Sequence, residues 1–449
     1  MKILHIIPRW IGGGPERAIL EIAKYDRSQG ETIQRKVLVL DKPISAPLFT
    51  MARRAGIDLV TKLDAQRLES EFDAADIVEV TYWNHPLLLD LLRKPLPPSR
   101  LLMCSAIAGN TLPHMLFDEL VAFADSWVLS APLGLGAHLL AHEHVTHIPA
   151  LANMSRLNSY APKQHDGVRI VYLGGIATTK LHPDFSDIVA GASSPDIHFD
   201  LFGDADPASL EDLKKNLNNR GVLDCVSFHG HVENIAGAFA LADIFAYPLA
   251  PGSYVTSEKA LQEAMWAGIP PVLMAGTAAT GWIEHNVTGF ICNNVTDFVT
   301  TLRRLASDPS LRRRIGQAAR NASRKLFDPA ANATTMARVY SDLMSRPKRE
   351  RPPILGAGNS AAECFLQSLG DAAKFFLELT ERGVSGLTPI LNLNIDILLR
   401  GEGGLMHYAK TFPNDAEIAN WALRLTKIHS HKSSKIERTQ EFGKHIIEY

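Results

Sequence analysis

Two acidic residues and several hydroxyl side chains stand close together in one stretch, Tyr254 to Val272 (YVTSEKALQEAMWAGIPPV). Apolar residues recur there at i, i+3 and i+4 spacing, which predicts a helix over residues 257–267. The start of a helix presents free N–H groups and a positive dipole end, and both suit a phosphate. Glu258 at that start and Glu263, somewhat more than one turn deeper, could accept hydrogen bonds from sugar hydroxyls, because carboxylates are strong acceptors. An ordinary amphipathic helix with solvated glutamates is the alternative.

A glycine-rich turn near the amino terminus is a second candidate for binding phosphate. The apolar strand predicted over residues 2–8 runs into Gly12-Gly13-Gly14-Pro15-Glu16-Arg17, and a helix is predicted from Ala18 to Tyr25. Glycines allow backbone N–H groups to approach an anion closely. The turn is not the dinucleotide fingerprint, because the third glycine of that motif would fall at Arg17. A simple tight turn, with Arg17 capping the helix or pairing with Glu21, is the alternative.

Two histidines follow predicted strands in the first half of the chain. His85 follows the strand at Ile77–Val80, and His114 follows the strand at Leu101–Ile107. Ligands of parallel doubly wound sheets bind beyond the carboxyl ends of the strands. We therefore consider both histidines candidate site residues, with solvated loop histidines as the alternative.

A group of histidines at positions 138–147 does not predict a metal site. His138 and His142 have the i, i+4 spacing of a helical metal pair, but Thr146 stands four residues after His142, so the HExxH motif is absent. We expect a polar helix end that leads into a linker.

The composition predicts a globular protein of two ordinary domains with an appendage. The chain has 449 residues, 46% hydrophobic and 21% charged, and a formal charge of −2, which gives no broad basic face for nucleic acid. Its four cysteines form no CxxC pair, so free thiols in a reducing compartment are expected. No apolar run has the length of a membrane span, and the apolar start is too short for a signal peptide. These features predict a cytoplasmic protein.

Short apolar strands alternate with helical patterns in both halves of the chain. Such alternation predicts an α/β protein with parallel, doubly wound sheets. Residues 1–150 form the first predicted Rossmann-like domain, and a linker rich in Pro, Asn and Ser covers residues 148–166. Residues 167–345 form the second predicted Rossmann-like domain. A charged, proline-containing segment, expected to be solvated, then leads to a helical extension at 354–449, with helices expected at 361–382 and 416–428.

The sequence EAMWAGIPPV, which begins at Glu263, resembles the second half of the Glu-x7-Glu motif of GT-B retaining glycosyltransferases, family GT4 (glycosyl transferases group 1). The resemblance implies two Rossmann-like domains with a nucleotide-sugar donor in the cleft between them. Glu263 would hold the ribose. The first glutamate of the motif would fall at Val255, and Glu258 is a candidate substitute for it.

Two further segments resemble the same family. GGGPERA resembles the loop that closes onto donor and acceptor, and it supplies Gly13, Gly14 and Arg17. The turn that begins at Gly174 contains Lys180 at the place of the lysine that neutralises the donor diphosphate. The arginine expected in the same turn is replaced by Gly175 or Ile176, and a surface lysine is the alternative reading of Lys180.

The resemblance implies transfer of a sugar, with retention of configuration, from a nucleotide-sugar donor to a glycan, lipid or small-molecule acceptor. The donor is a substrate; no cofactor and no metal are expected, and nucleic acid is not a predicted partner. Peripheral membrane contact and a homo-oligomer stay open. We predict Glu258, Lys180 and His85 as catalytic residues. The predicted donor-binding residues are Gly13, Gly14, Arg17, Gly174, Lys180, Tyr254, Thr256, Ser257, Glu258 and Glu263.

Two alternatives remain beside the transferase. A GT-B-shaped binding or regulatory protein without catalysis would explain Val255 in place of glutamate and glycine in place of the phosphate arginine. A nucleotide-sugar epimerase of similar shape would interconvert the donor without an acceptor.

Overall fold

The computed structural model describes residues 1–11, 13–30, 32–41, 46–61, 64–105, 107–132, 142–177, 179–253, 258–354, 360–382 and 395–428. Its first half holds strands β1 (Lys2–Ile7), β2 (Gln34–Val39), β3 (Ile57–Val60), β4 (Ile77–Tyr82), β5 (Leu96–Ser99), β6 (Leu101–Ser105), β7 (Ser126–Leu129) and β8 (Val145–His147). The helices between them are α1 (Gly14–Ser28), α2 (Ala46–Arg54), α3 (Ala65–Ala74), α4 (Pro86–Leu92) and α5 (Asp118–Phe123).

The first sheet is parallel and has the order β3-β2-β1-β4-β6-β7-β8. Its central strand β4 is buried at every residue, as expected for a sheet covered on both faces. Helix α1 begins at Gly14 and not at the predicted Ala18, because Pro15 fits the first turn of a helix and Gly13 is its N-cap. His138 and the polar helix end expected there lie outside the described residues, and His147 lies in strand β8.

The second half repeats this architecture. Its strands are β9 (Val168–Leu173), β10 (Ile197–Phe202), β11 (Val226–Gly230), β12 (Ile244–Tyr247), β13 (Pro271–Met274) and β14 (Phe290–Cys292). Its helices are α6 (Phe185–Ala192), α7 (Pro207–Asn219), α8 (Ile235–Phe239), α9 (Lys259–Ala267), α10 (Val295–Ser307), α11 (Pro309–Leu326) and α12 (Pro329–Ser345). The sheet is parallel, with the order β11-β10-β9-β12-β13-β14. The predicted α/β class with two Rossmann-like halves is therefore confirmed.

Helix α12 of the second domain returns to the first domain. Its Tyr340 packs with Leu343 against apolar residues of the first sheet. The Tyr340 hydroxyl also donates to Glu79 of β4 at 2.8 Å, and Glu79 lies 3.1 Å from a ring nitrogen of His5 in β1. Burial would raise the pKa of Glu79, but His5, the Arg35 guanidinium and the Tyr340 hydroxyl hold it at about 2. The helix is thus joined to the sheet through a buried carboxylate.

The segment after α12 is more deeply buried than predicted. Strand β15 (Arg349–Arg351) pairs antiparallel with β5, and Arg351 is only 3% exposed. Arg351 pairs with the buried Asp125 and donates to the Ser99 carbonyl at 2.9 Å. The expectation of a solvated connection is wrong at Arg351, because a sequence pattern does not reveal a partner more than 200 positions away.

The carboxyl-terminal extension packs on the first domain. It contains α13 (Ala361–Gln367), α14 (Ala373–Arg382), α15 (Ile395–Arg400), α16 (Leu405–Thr411) and a helix at 416–428, here α17. A short 3-10 turn that starts at Gly370, with φ +53°, divides the predicted 361–382 helix into two. Phe365, Tyr408 and Trp421 of the extension share one hydrophobic core with the first sheet.

Candidate functional site

Lys180 and Glu258 meet at the carboxyl edge of the second sheet. Their side chains leave the turns that follow β9 and β12, two strands that are neighbours in the sheet. The Lys180 Nζ lies 3.3 Å from Glu258 Oε2, and the Tyr247 hydroxyl at the end of β12 donates to the same oxygen. The side chain of Lys180 is 29% exposed and that of Glu258 7%. The Lys180 ammonium group can therefore contact a ligand, while the buried Glu258 carboxylate is held in place by the Tyr247 hydroxyl.

Backbone packing fixes the position of Lys180. The Ala250 N–H donates to the Lys180 carbonyl at 2.8 Å, which joins the two turns. A Cβ atom on Gly174 would lie 2.8 Å from the Tyr172 hydroxyl and 3.3 Å from Lys180 Cε. Gly174 was predicted to bind the donor. The absence of a side chain at Gly174 also leaves space for the aliphatic part of the Lys180 side chain.

Glu258 is the N-cap of α9 and has a strained backbone. Its φ of 26° and ψ of 80° lie where residues other than glycine are rare. Such strain costs about 1–3 kcal/mol and is concentrated at functional sites. Among the residues that the structure describes, no side chain caps the start of α9. The first N–H groups of this helix can therefore serve an anionic ligand.

Glu263 lies deeper in α9 and contacts the interdomain linker. It is 3% exposed, and its Oε1 accepts a hydrogen bond from Arg156 Nη1 at 3.2 Å. Burial raises the pKa of Glu263 to about 7, although Arg156, Lys259 and Arg17 act against this rise. Its predicted contact with a ribose stays a prediction.

Buried Gln262, next to Glu263, also holds the linker. Its Oε1 accepts from the Ala152 N–H and its Nε2 donates to the Ala150 carbonyl, both at 2.9 Å. Together with the contact between Arg156 and Glu263, these hydrogen bonds hold the linker against α9.

The start of α9 also contacts the glycine-rich turn of the first domain. The Lys259 Nζ donates to the Gly14 carbonyl at 2.8 Å, and the exposed Arg17 lies in the first turn of α1. Burial and the positive charge of Arg17 together lower the pKa of Lys259 to about 8. A Cβ on Gly13 would lie 3.0 Å from the buried Glu16 carboxylate, a tight contact that the carboxylate would have to yield to.

His85 lies at the edge of the other sheet. It is fully buried at the N-cap of α4, where its Nδ1 accepts from the Leu87 N–H at 3.2 Å. Burial, together with His407 and Arg9, lowers the pKa of His85 to about 2, so the ring is neutral at physiological pH. Its nearest described aromatic neighbour is His407 of the extension, with ring centroids 4.5 Å apart. The catalytic role predicted for His85 stays a prediction.

Three predicted donor-binding residues, Tyr254, Thr256 and Ser257, lie outside the described residues. The structure adds four residues that the sequence did not single out, namely Tyr247, Arg156, Lys259 and Gln262. Lys259 could have been found, since it directly follows Glu258 at the start of the helix. Tyr247 ends an apolar strand and looks like a core residue in the sequence, and Arg156 lies in the linker. Neither residue therefore stands in a local sequence pattern that indicates a functional site.

The described part of the chain contains no group of three or more His, Cys, Asp or Glu side chains placed to hold a metal ion. Within the same residues, no helix is long and apolar enough to cross a membrane.

Known structures share this arrangement of two domains. HepE from Anabaena, solved with UDP and glucose, matches with a TM-score of 0.60 and 16% identity over 76% of this chain and 100% of that one. A glycosyltransferase from Rickettsia africae matches with a TM-score of 0.62 and 14% identity over 77% and 99%. Sucrose-phosphate synthase from Thermosynechococcus elongatus matches with a TM-score of 0.59 and 16% identity over 77% and 99%. At these identities the likeness establishes the fold, which is GT-B.

A family model matches part of the second domain. Residues 167–308, which include Lys180, Glu258 and Glu263, match the family model described as glycosyl transferases group 1. The resemblance predicted from the sequence is thereby confirmed over this domain, and the match supports a glycosyltransferase. No curated protein matches the chain.

The raised pKa of Glu263 predicts a pH-dependent effect of Glu263→Gln. Between its usual value of 4.5 and about 7, the folded protein binds more protons at Glu263 than the unfolded chain does. The free energy of unfolding therefore falls as pH rises through this window, and glutamine, which cannot ionise, removes the fall. We expect Glu263→Gln to raise Tm by several degrees at pH 8 and to change it little at pH 4.5, measured by calorimetry. An equal change in Tm at both pH values would contradict the raised pKa.

Proposed function

We propose that the protein transfers a sugar from a nucleoside-diphosphate sugar to an acceptor. The observation that carries the proposal is the pairing of Lys180 with Glu258 at the start of α9, in the domain that matches the glycosyltransferase family. A cation beside free helix N–H groups suits a diphosphate, and a neighbouring carboxylate suits sugar hydroxyls.

In this proposal the leaving diphosphate is stabilised by Lys180, by the first N–H groups of α9 and by the helix dipole. Arg17 and Lys259 stand where the two domains meet and add positive charge, which offsets the absent arginine at Gly175 or Ile176. Lysine and arginine side chains can neutralise a leaving diphosphate. We therefore propose that transfer requires neither a metal nor a cofactor.

The remaining roles follow the same geometry. Glu258 takes the place of the motif glutamate that is absent at Val255 and holds the donor sugar, while Glu263 holds the ribose. Gly13, Gly14 and Arg17 close the cleft and exclude water, which would otherwise hydrolyse the donor. Residues 1–150 would bind the acceptor and residues 167–345 the donor. Retention of configuration is what the family resemblance implies.

A thermal-shift screen of UDP-, GDP- and ADP-sugars tests donor binding first. A ligand present at 100 times its Kd adds about 2.7 kcal/mol to the stability of the native state, which gives a measurable rise in Tm. We expect one nucleotide class to raise Tm and to be hydrolysed or transferred, and Glu263→Ala to lose most of this activity. If none raises Tm, the proposal fails.

The same screen separates the alternatives. Binding without turnover of the donor, with or without added acceptors, would favour a regulatory protein. Conversion of the donor into an isomeric nucleotide sugar without an acceptor would favour an epimerase.

A further inference from the structure

The extension lies over the ligand-binding edge of the first domain. Residues 401–407, here the 401–407 segment, run from the end of α15 into the first turn of α16. They contact Arg9, Asn84 and His114, which follow β1, β4 and β6, three neighbouring strands at the centre of the first sheet. Ligands of doubly wound sheets bind at this edge. The segment is therefore placed where a ligand of the first domain would bind.

The fit of the segment against the strand ends is close. Gly403 has φ +73°, and a Cβ there would lie 2.4 Å from the Asn84 carbonyl oxygen and 3.0 Å from His114 Cε1. The Asn84 amide donates to the Gly403 carbonyl at 3.1 Å, and the Tyr408 hydroxyl donates to Asn84 Oδ1 at 2.7 Å. The segment is thus built into the first domain.

Polar groups without partners remain at this contact. His85 is fully buried, its ring packs edge-on against the His407 ring, and among the described residues its Nε2 has no hydrogen-bond partner. The buried Arg9 Nε likewise has no partner there, although another nitrogen of Arg9 pairs with Glu402. Buried polar atoms are normally satisfied, so these atoms indicate a bound ligand or water. The Arg9 and Glu402 side chains are 25% and 36% exposed, which leaves them accessible.

Charged groups of both signs lie around the segment. Arg9 and Lys410 are positive, Glu402 and Asp41 are negative, and all four act on His407. Burial lowers the pKa of both His407 and His85, so neither ring adds charge at neutral pH. Charges of both signs favour neither a strongly anionic nor a strongly cationic ligand, whereas the donors and acceptors of this site suit hydroxyl groups.

We propose that Glu402 and His407 of the extension, together with Arg9 and His85, form the acceptor subsite, and that the group bound there is an uncharged, hydroxyl-rich sugar. This proposal rests on the proposed glycosyltransferase function. Glu402 and His407 would then determine which acceptor is used.

Histidine NMR on the full chain tests the proposal without donor or turnover. The probes are the methyl glycosides of glucose, galactose, mannose and N-acetylglucosamine, and their charged counterparts methyl glucuronide and methyl glucosaminide. We expect at least one neutral probe to shift the imidazole signals of His85 and His407 in a saturable way, and the charged counterparts to bind more weakly. Glu402→Gln should weaken that binding by about tenfold, since a charge-assisted hydrogen bond is lost.

Glu417→Gln, on the exposed face of α17, is the matched control and should bind the probe as the wild type does. Absence of any shift by a neutral probe, a preference for a charged probe, or equal binding by Glu402→Gln and Glu417→Gln would overturn the proposal. Its failure differs from failure of the proposed function, because the nucleotide-sugar screen reports on the Lys180 site in the other domain.

Discussion

Replacing Lys180 with alanine is expected to lower kcat/KM for the donor by about 100- to 1,000-fold, the usual effect of removing one group that stabilises charge in a transition state. The physical reason is the position of its Nζ beside Glu258 at the start of α9, where the leaving diphosphate gathers negative charge. Steady-state kinetics with the donor found in the nucleotide-sugar screen measure the effect.

Two further variants make this result specific. Lys180→Arg keeps the charge in a different shape and should recover part of the lost rate. Lys215→Ala removes an exposed lysine of α7 and should behave as the wild type. Equal rates for Lys180→Ala and Lys215→Ala would show that Lys180 does not act on the donor.

Replacing Asp125 with alanine is expected to destabilise the protein by about 3–5 kcal/mol, because it leaves a buried cation without its partner. Asp125 pairs with Arg351, which is 3% exposed, and with Arg349 at 2.6 Å, and it accepts the Leu101 N–H at 2.7 Å. These contacts join the segment after α12 to the first sheet. Denaturant unfolding of Asp125→Ala, with the exposed Asp224→Ala as control, measures the loss. A change below about 1 kcal/mol, the range of an exposed pair, would contradict this account of Asp125.

The strands were the most predictable part of the fold. The strands predicted at residues 2–8, 77–80 and 101–107 correspond to β1, β4 and β6, and each starts at the predicted residue, because a continuous apolar run flanked by turn residues is a local signal. Helix α1 and the paired helices α13 and α14 differ from prediction where a proline or glycine changed the local geometry. Helix bounds that depend on a single residue in a turn are harder to predict from the sequence than the position of an apolar strand.

The parts of the site that follow motifs could be predicted, and the parts that come from distant segments could not. Lys180 and Glu258 were named from the family resemblance, and the structure places them 3.3 Å apart. Arg156 reaches Glu263 from the linker, and His407 reaches His85 across more than 300 positions. Neither pair has a spacing in the sequence that would reveal it, since each depends on how the linker and the extension fold back.

Calorimetric titration of UDP, GDP and ADP into the wild type and Lys180→Ala tests the central claim most directly. The account predicts that at least one nucleotide binds the wild type and that Lys180→Ala weakens its affinity by about 10- to 100-fold, as expected for a lost hydrogen bond between charged groups. Failure of all three nucleotides to bind the wild type, or equal affinities for the wild type and Lys180→Ala, would contradict it.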